Sequence, residues 1–179
     1  MKRVYLVGFR GTGFRNERYK DESLLIRAGH VGFYFEDEPD RIFGFHPTEQ
    51  AANAVGDDLD VINWLKHHRV LEGALHNDSA TFHRAYELAQ SDAPTDVWQM
   101  AMPLEDNRYD QIREQAQQWY NDNRAFMYSF PPAESKADRD NCATFPRKLG
   151  LPLPESTGNL REYIPALQTN GELWSPEGD

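Results

Sequence analysis

The sequence predicts one α+β domain, an antiparallel sheet packed against helices. Three observations lead there. Short runs of β-branched and aromatic residues recur along the chain. Apolar residues at helical spacing lie between the later runs. The 179 residues contain no internal repeat, low-complexity tract or linker, and are enough for one core. Residues 4–9 form the first strand. Gly11-Thr12-Gly13 breaks it; with Gly8 these glycines suggest a phosphate loop, but no Gly-Lys-Ser/Thr follows and no helix opens, so a flexible loop is expected.

Residues 31–35 and 41–45 are strand-like, and Asp37-Glu38-Pro39 between them is a turn signal. A hairpin with that three-residue loop pairs Glu36 with Asp40, Tyr34 with Ile42, Gly32 with Gly44 and His30 with His46. Val31, Phe33, Phe35, Phe43 and Phe45 then share an apolar face, with Arg41 as the exception. His30, Gly32, Tyr34, Gly44 and His46 share the other face, which has little bulk near the histidines. A loop one residue longer or shorter mixes the two faces, so parity selects the register that brings the histidines together.

Thr48 caps a short helix reaching residue 55, and Leu59, Ile62 and Leu65 mark another. Asp78 or Ser79 caps a longer helix carrying Phe82, Ala85, Tyr86 and Ala89. A break at 92–95 precedes a strand at 97–102 that Pro103 ends. A helix follows at 105–120, with Tyr109, Ile112, Ala116, Trp119 and Tyr120 on one stripe. Residues 125–130 are a strand stopped by Pro131-Pro132, and 133–140 a polar loop. Residues 142–149 read as a short helix that Gly150 terminates, with Pro146 an irregularity inside it. Residues 151–154 are extended, 159–168 form a last helix bent or ended at Pro165, and the tail from Trp174 is loose.

The candidate chemistry centres on the only cysteine, Cys142. A lone cysteine is by default a small buried hydrophobe. At a helix start, however, the unpaired backbone N–H groups favour a thiolate, the reactive form. A cysteine hydrolase needs the thiol, an imidazole to exchange its proton, and a group to orient that imidazole. His30 is the candidate base and His46, opposite it, the orienting group. The Cys142 amide can face an oxyanion. Tyr34 or Tyr128 can supply a second donor, and Asn141, beside the cysteine, is a further contact candidate. Glu36 and Asp37 rank low as orienting groups, since at ~3.3 Å per residue they lie about 20 Å from the histidines. Zinc on Cys142, His30 and His46 lacks a second cysteine or a His-x-x-x-His spacing, so no metal or other cofactor is expected.

The net charge of −10 argues against nucleic-acid or anionic-membrane partners, and no basic patch offsets it. No stretch is long and apolar enough to span a bilayer. The basic-then-apolar start is too short for a signal peptide, and Arg10 interrupts it. One unpaired cysteine fits a reducing compartment.

Gly29-His30-Val31-Gly32, followed much later by Asn141-Cys142-x-x-Phe145, resembles the circularly permuted papain-like fold of permuted NlpC-like hydrolases, lecithin:retinol acyltransferase-like enzymes and PPPDE-type isopeptidases. In those groups the histidine strand precedes the cysteine. The resemblance covers about residues 4–167 in architecture and two short segments in identity. It implies Cys142 as nucleophile, His30 as base and His46 as third polar residue, with no cofactor. Residues 47–92 depart from the pattern and read as an insertion. The implied activity is a thiol peptidase or amidase acting through an acyl-enzyme, with cell-wall peptide the favoured substrate. Lipid acyl hydrolysis or transfer is the runner-up, and a non-enzymatic binding module with a buried cysteine the other alternative. Similar bacterial proteins include secreted antibacterial effectors. That implies synthesis in the cytoplasm, export without a signal peptide, and a cognate inhibitor protein as partner.

Overall fold

The computed structural model describes residues 1–67, 69–91, 96–130, 139–153, 164–165, 167–169 and 171–176. The expected break at 92–95, most of the loop at 133–140, most of the helix at 159–168 and the end of the tail lie outside the described residues. The rest is an α+β fold built on an eight-stranded sheet. The strands are β1 (Lys2–Arg10), β2 (Gly29–Phe35), β3 (Phe43–Pro47), β4 (Leu71–Asn77), β5 (Val97–Leu104), β6 (Phe126–Tyr128), β7 (Arg139–Asp140) and β8 (Glu172–Leu173). Their order is β7-β6-β4-β3-β2-β1-β5-β8, antiparallel except for the β6–β7 pair. The helices are α1 (Leu24–Ala28), α2 (Glu49–Val55), α3 (Asp58–Lys66), α4 (Ser79–Gln90), α5 (Asp106–Asn121) and α6 (Phe145–Lys148).

β2 and β3 pair Gly32 with Gly44 and Phe33 with Phe43, the register that parity requires. The strands part earlier than expected at the turn end, and β3 begins at Phe43 rather than Arg41. The head of α4 holds that stretch instead: Ile42 N–H donates to Ser79 Oγ (3.0 Å), and Ser79 Oγ donates to the Asp40 carbonyl (2.8 Å). β5 runs on through Pro103 to Leu104, where β8 no longer pairs with it and proline is tolerated.

Both faces of the sheet are covered. Val31, Phe33, Phe35, Phe43 and Phe45 pack with residues of α3, α5 and α6 in the larger core. The opposite face, expected to be polar, carries a second core of Val7, Phe9, Tyr34 and Ile42 against Ile26 of α1 and Phe82, Ala85 and Leu88 of α4. Every residue of β2 is buried as a result.

The segment 47–92, expected to be an insertion, contributes to the sheet itself. It contains α2, α3, β4 and α4, and β4 lies in the middle of the sheet between β3 and β6. Its alternation is weak to the eye because Gly73-Ala74 interrupts it. Thr48 caps α2, accepting from the Ala51 amide at 3.2 Å. No helix among the described residues is long and apolar enough to cross a membrane.

Candidate functional site

The site lies where β2 begins and β3 ends. Gly29, at φ 90°, ends α1 and turns directly into β2, so His30 enters the sheet as its second residue. His30 is 1% exposed, and His46 keeps partial access to solvent. The two rings meet edge to face with centroids 5.6 Å apart. The sequence reading expected His46 to accept from the His30 ring N–H, but the two rings do not hydrogen-bond each other. A carboxylate takes the space between them: His30 Nε2 lies 2.7 Å from Asp78 Oδ2, and His46 Nε2 lies 2.9 Å from Asp78 Oδ1. The orienting group of His30 is thus Asp78, and His46 holds the carboxylate from its other side. His46 Nδ1 in turn lies 3.1 Å from the Pro47 carbonyl oxygen, and His76 of β4 stacks flat on His46 with centroids 3.6 Å apart.

Asp78 is the residue that sequence reasoning missed in this role. It stands at the N-cap position of α4, which is how the sequence reads it, but its side chain makes no capping bond. Both oxygens are spent on the histidines. Asp78 N–H donates to the Ile42 carbonyl at 2.7 Å, tying the head of α4 beside β3. Gly44 makes the approach sterically feasible, because a Cβ there would collide with Asp78 Oδ2 and come within 2.5 Å of His30 Nε2.

Cys142 is not inside a helix. It occupies the turn before α6, and α6 is only four residues long, starting at Phe145. The physical reason is Asn141, directly before the cysteine. Asn141 Oδ1 accepts from the amides of Ala143 and Thr144, both at 3.0 Å, closing an Asx-type turn. Pro146 is then in the first turn of α6, where proline is tolerated. Phe145 anchors the turn: it is fully buried and stacks on Phe45 at 4.2 Å, with Phe126 and Trp119 edge-on. Burying such a ring contributes about 1.5–3 kcal/mol. Asn141, a candidate for contact with substrate, is itself fully buried and acts on the turn instead.

The turn brings the Cys142 thiol near enough to His30 to favour the charged form of the imidazole. With Nε2 on Asp78, Nδ1 is the ring nitrogen left for sulfur. Cys142 is 2% exposed. Tyr128, at the end of β6, is buried beside Cys142. Tyr34 lies elsewhere. It stacks on Tyr5 at 4.9 Å, and its hydroxyl donates to Gln99 of β5. Glu36 and Asp37 are at the far end of the hairpin, where Asp37 accepts from Tyr109 and Arg113.

Burial alone would push the His30 imidazolium down, but Asp78 and then Cys142 outweigh it and raise His30 from 6.5 to about 10. Asp78 is driven well below the usual carboxylate range: burial opposes this, and its hydrogen bonds to His30 and His46 prevail. His76 goes the other way, lowered to about 4 by burial and then by the charge of His46. The signs set a pH optimum for stability. A raised His30 contributes fully below 6.5 and loses its contribution as pH climbs toward about 10. A lowered His76 contributes fully above 6.5 and loses it as pH falls toward about 4, with Asp78 adding to the acid limb at lower pH. Urea midpoints measured across this range are expected to peak near the ordinary histidine value of 6.5. Removing the His76 imidazole as His76→Phe, which keeps a flat ring against His46, should flatten only the acid limb. A midpoint rising steadily above pH 7 would contradict these signs.

His30, His46 and Asp78 also place one ligand atom each within 4.8 Å of one another, a set that can hold a metal ion. Here each imidazole nitrogen already has a carboxylate oxygen as partner, so a cation would have to replace both hydrogen bonds. No family model matches the chain, and no curated protein or solved structure is significantly similar to it.

Proposed function

We propose that the chain is a thiol hydrolase whose nucleophile is Cys142, whose base is His30 and whose orienting carboxylate is Asp78, on a permuted papain-like fold. The observation that carries this reading is that Cys142, His30 and Asp78, from three distant segments, are buried together, with Asp78 bonded to the His30 ring and the Cys142 thiol near enough to favour its charged form. Burying a carboxylate and an imidazole costs free energy unless they are paired, so a core has little use for such a series without chemistry.

The steps follow from the geometry. The Cys142 thiolate attacks the substrate carbonyl carbon; a C–S bond forms and the carbonyl electron pair moves onto oxygen. In this reading the Cys142 N–H donates to that oxyanion, and the buried Tyr128 hydroxyl beside it is the candidate for a second donor. Collapse breaks the bond to the leaving amine, which takes a proton from His30. Water then attacks the thioester, giving a proton to His30, and the thiolate leaves. Asp78 stays ionised throughout, holding the imidazole in plane and stabilising its charged form. His46, on the second oxygen of Asp78, fixes the carboxylate. A peptide-type amide is the substrate class, with cell-wall peptide first, in an exported effector countered by a cognate inhibitor protein.

The 2% exposure of Cys142 favours a second reading, a binding module that keeps the thiol buried. Alkylation separates the two. Under the hydrolase reading Cys142 reacts with iodoacetamide near neutral pH faster than a small free thiol, and His30→Ala removes the advantage. Slow labelling of the folded protein, indifferent to His30→Ala, favours the module.

A further inference from the structure

Asp78, the N-cap of α4, and Phe82 within α4 hold His30 from different sides. Asp78, at the head of the helix, meets the ring edge at Nε2. Phe82, one turn on, lies against the imidazole with centroids 5.6 Å apart and planes inclined by 32°. Phe82 is fully buried and is itself held edge-on, by Phe9 at 5.4 Å and by Trp174 at 6.4 Å. The sheet leaves room beside both residues. Gly44 clears the path of Asp78, and a Cβ on Gly32 would stand 3.0 Å from the Phe82 ring. Gly44 thus accommodates Asp78, while a Cβ on Gly32 would be confined first by the Phe43 carbonyl at 2.6 Å and then by Ile42 and Phe82.

We propose that Phe82 is a positioning residue for His30: its ring fixes the plane of the imidazole so that one edge meets Asp78 and the other meets Cys142. This rests on the reading of His30 as partner of a reactive thiol. An aliphatic side chain can fill the same volume, but it offers no π face to a charged ring. Other groups facing His30 are Asp78 at the N-cap of α4, His46 on β3, His76 on β4 and Cys142 on the turn before α6. Phe82 is the contact that adds orientation without charge.

The test sets Phe82→Leu and Phe82→Met beside Leu88→Ala, a residue of the same helix and the same apolar cluster. Two quantities are followed: the NMR titration of the His30 ring and the pH profile of Cys142 alkylation by iodoacetamide. Misplacing a reacting group by about 1 Å can cost up to ~100-fold, and a looser ring is expected to cost about tenfold in alkylation near neutral pH. Both Phe82 variants should show that loss, with the His30 titration moved downward. Leu88→Ala should lower the unfolding midpoint and leave both quantities unchanged. Phe82→Met, close in volume and adaptable, serves if Phe82→Leu does not fold. A folded Phe82 variant that moves only the unfolding midpoint overturns the proposal. Failure of the hydrolase reading looks different: wild-type Cys142 alkylates no faster than a small thiol and ignores His30→Ala. The His30 titration in the Phe82 variants then decides the positioning role alone.

Discussion

Cys142→Ala is expected to abolish turnover of any acyl substrate the protein accepts while leaving it folded. Removing the nucleophile of a thiol or hydroxyl hydrolase costs about 10⁴–10⁶-fold, because the remaining groups can orient substrate but cannot form the acyl bond. Structurally the change is small. Cys142 is buried in a turn whose shape comes from Asn141 and whose anchor is Phe145, and neither depends on sulfur. The measurement is mass spectrometry of products from purified peptidoglycan, phospholipid and ubiquitin-like conjugates, each run with wild type and Cys142→Ala. A product formed by wild type and missing with Cys142→Ala identifies the acyl class. Equal products from both would remove Cys142 from the chemistry.

The second large effect is expected at Asp78. Asp78→Ala leaves His30, 1% exposed and held protonated, without its counter-charge. Removing one partner of a buried pair costs about 3–5 kcal/mol. A lost helix cap costs about 1 kcal/mol, and it cannot account for the loss here, because the Asp78 side chain makes no capping bond. Asp78→Asn separates shape from charge. An amide can accept from only one of the two imidazoles and must turn its NH₂ toward the other, so one histidine loses its tautomer and orientation. The expected outcome is a urea midpoint between wild type and Asp78→Ala, with Cys142 alkylation at neutral pH slowed in both variants. A loss below about 1 kcal/mol in Asp78→Ala would show that the two histidines do not depend on the carboxylate.

Much of this was legible in the chain. Parity alone ruled out the neighbouring registers of the hairpin, because a one-residue slip exchanges its phenylalanine and histidine faces. That argument places His30 opposite His46, and the observed pairs Gly32–Gly44 and Phe33–Phe43 follow it. Helices α2 to α5 were readable from caps and stripes, since caps and apolar periodicity are local signals. The central strand β4 was not. Its residues are buried through contact with β3 and β6, partners far away in sequence, and Gly73-Ala74 blurs the alternation. Tyr34 and Tyr128 looked equivalent in sequence, and only the fold separates them: one faces Gln99 and the other lies beside Cys142.

The amino-acid order by itself determined the α+β class, the hairpin register and the two segments that carry sulfur and imidazole. Each of these follows from periodicity or from residue types with strong local preferences. The tertiary structure decided which group orients the imidazole. An aspartate before a helix reads as a cap, because capping is a local bond and the sequence shows local bonds. Asp78 instead turns inward, since β4 carries it beside β3 and Gly44 leaves room for its carboxylate between two histidines. That choice depends on steric clearance between strands remote in the chain, which only the folded arrangement specifies.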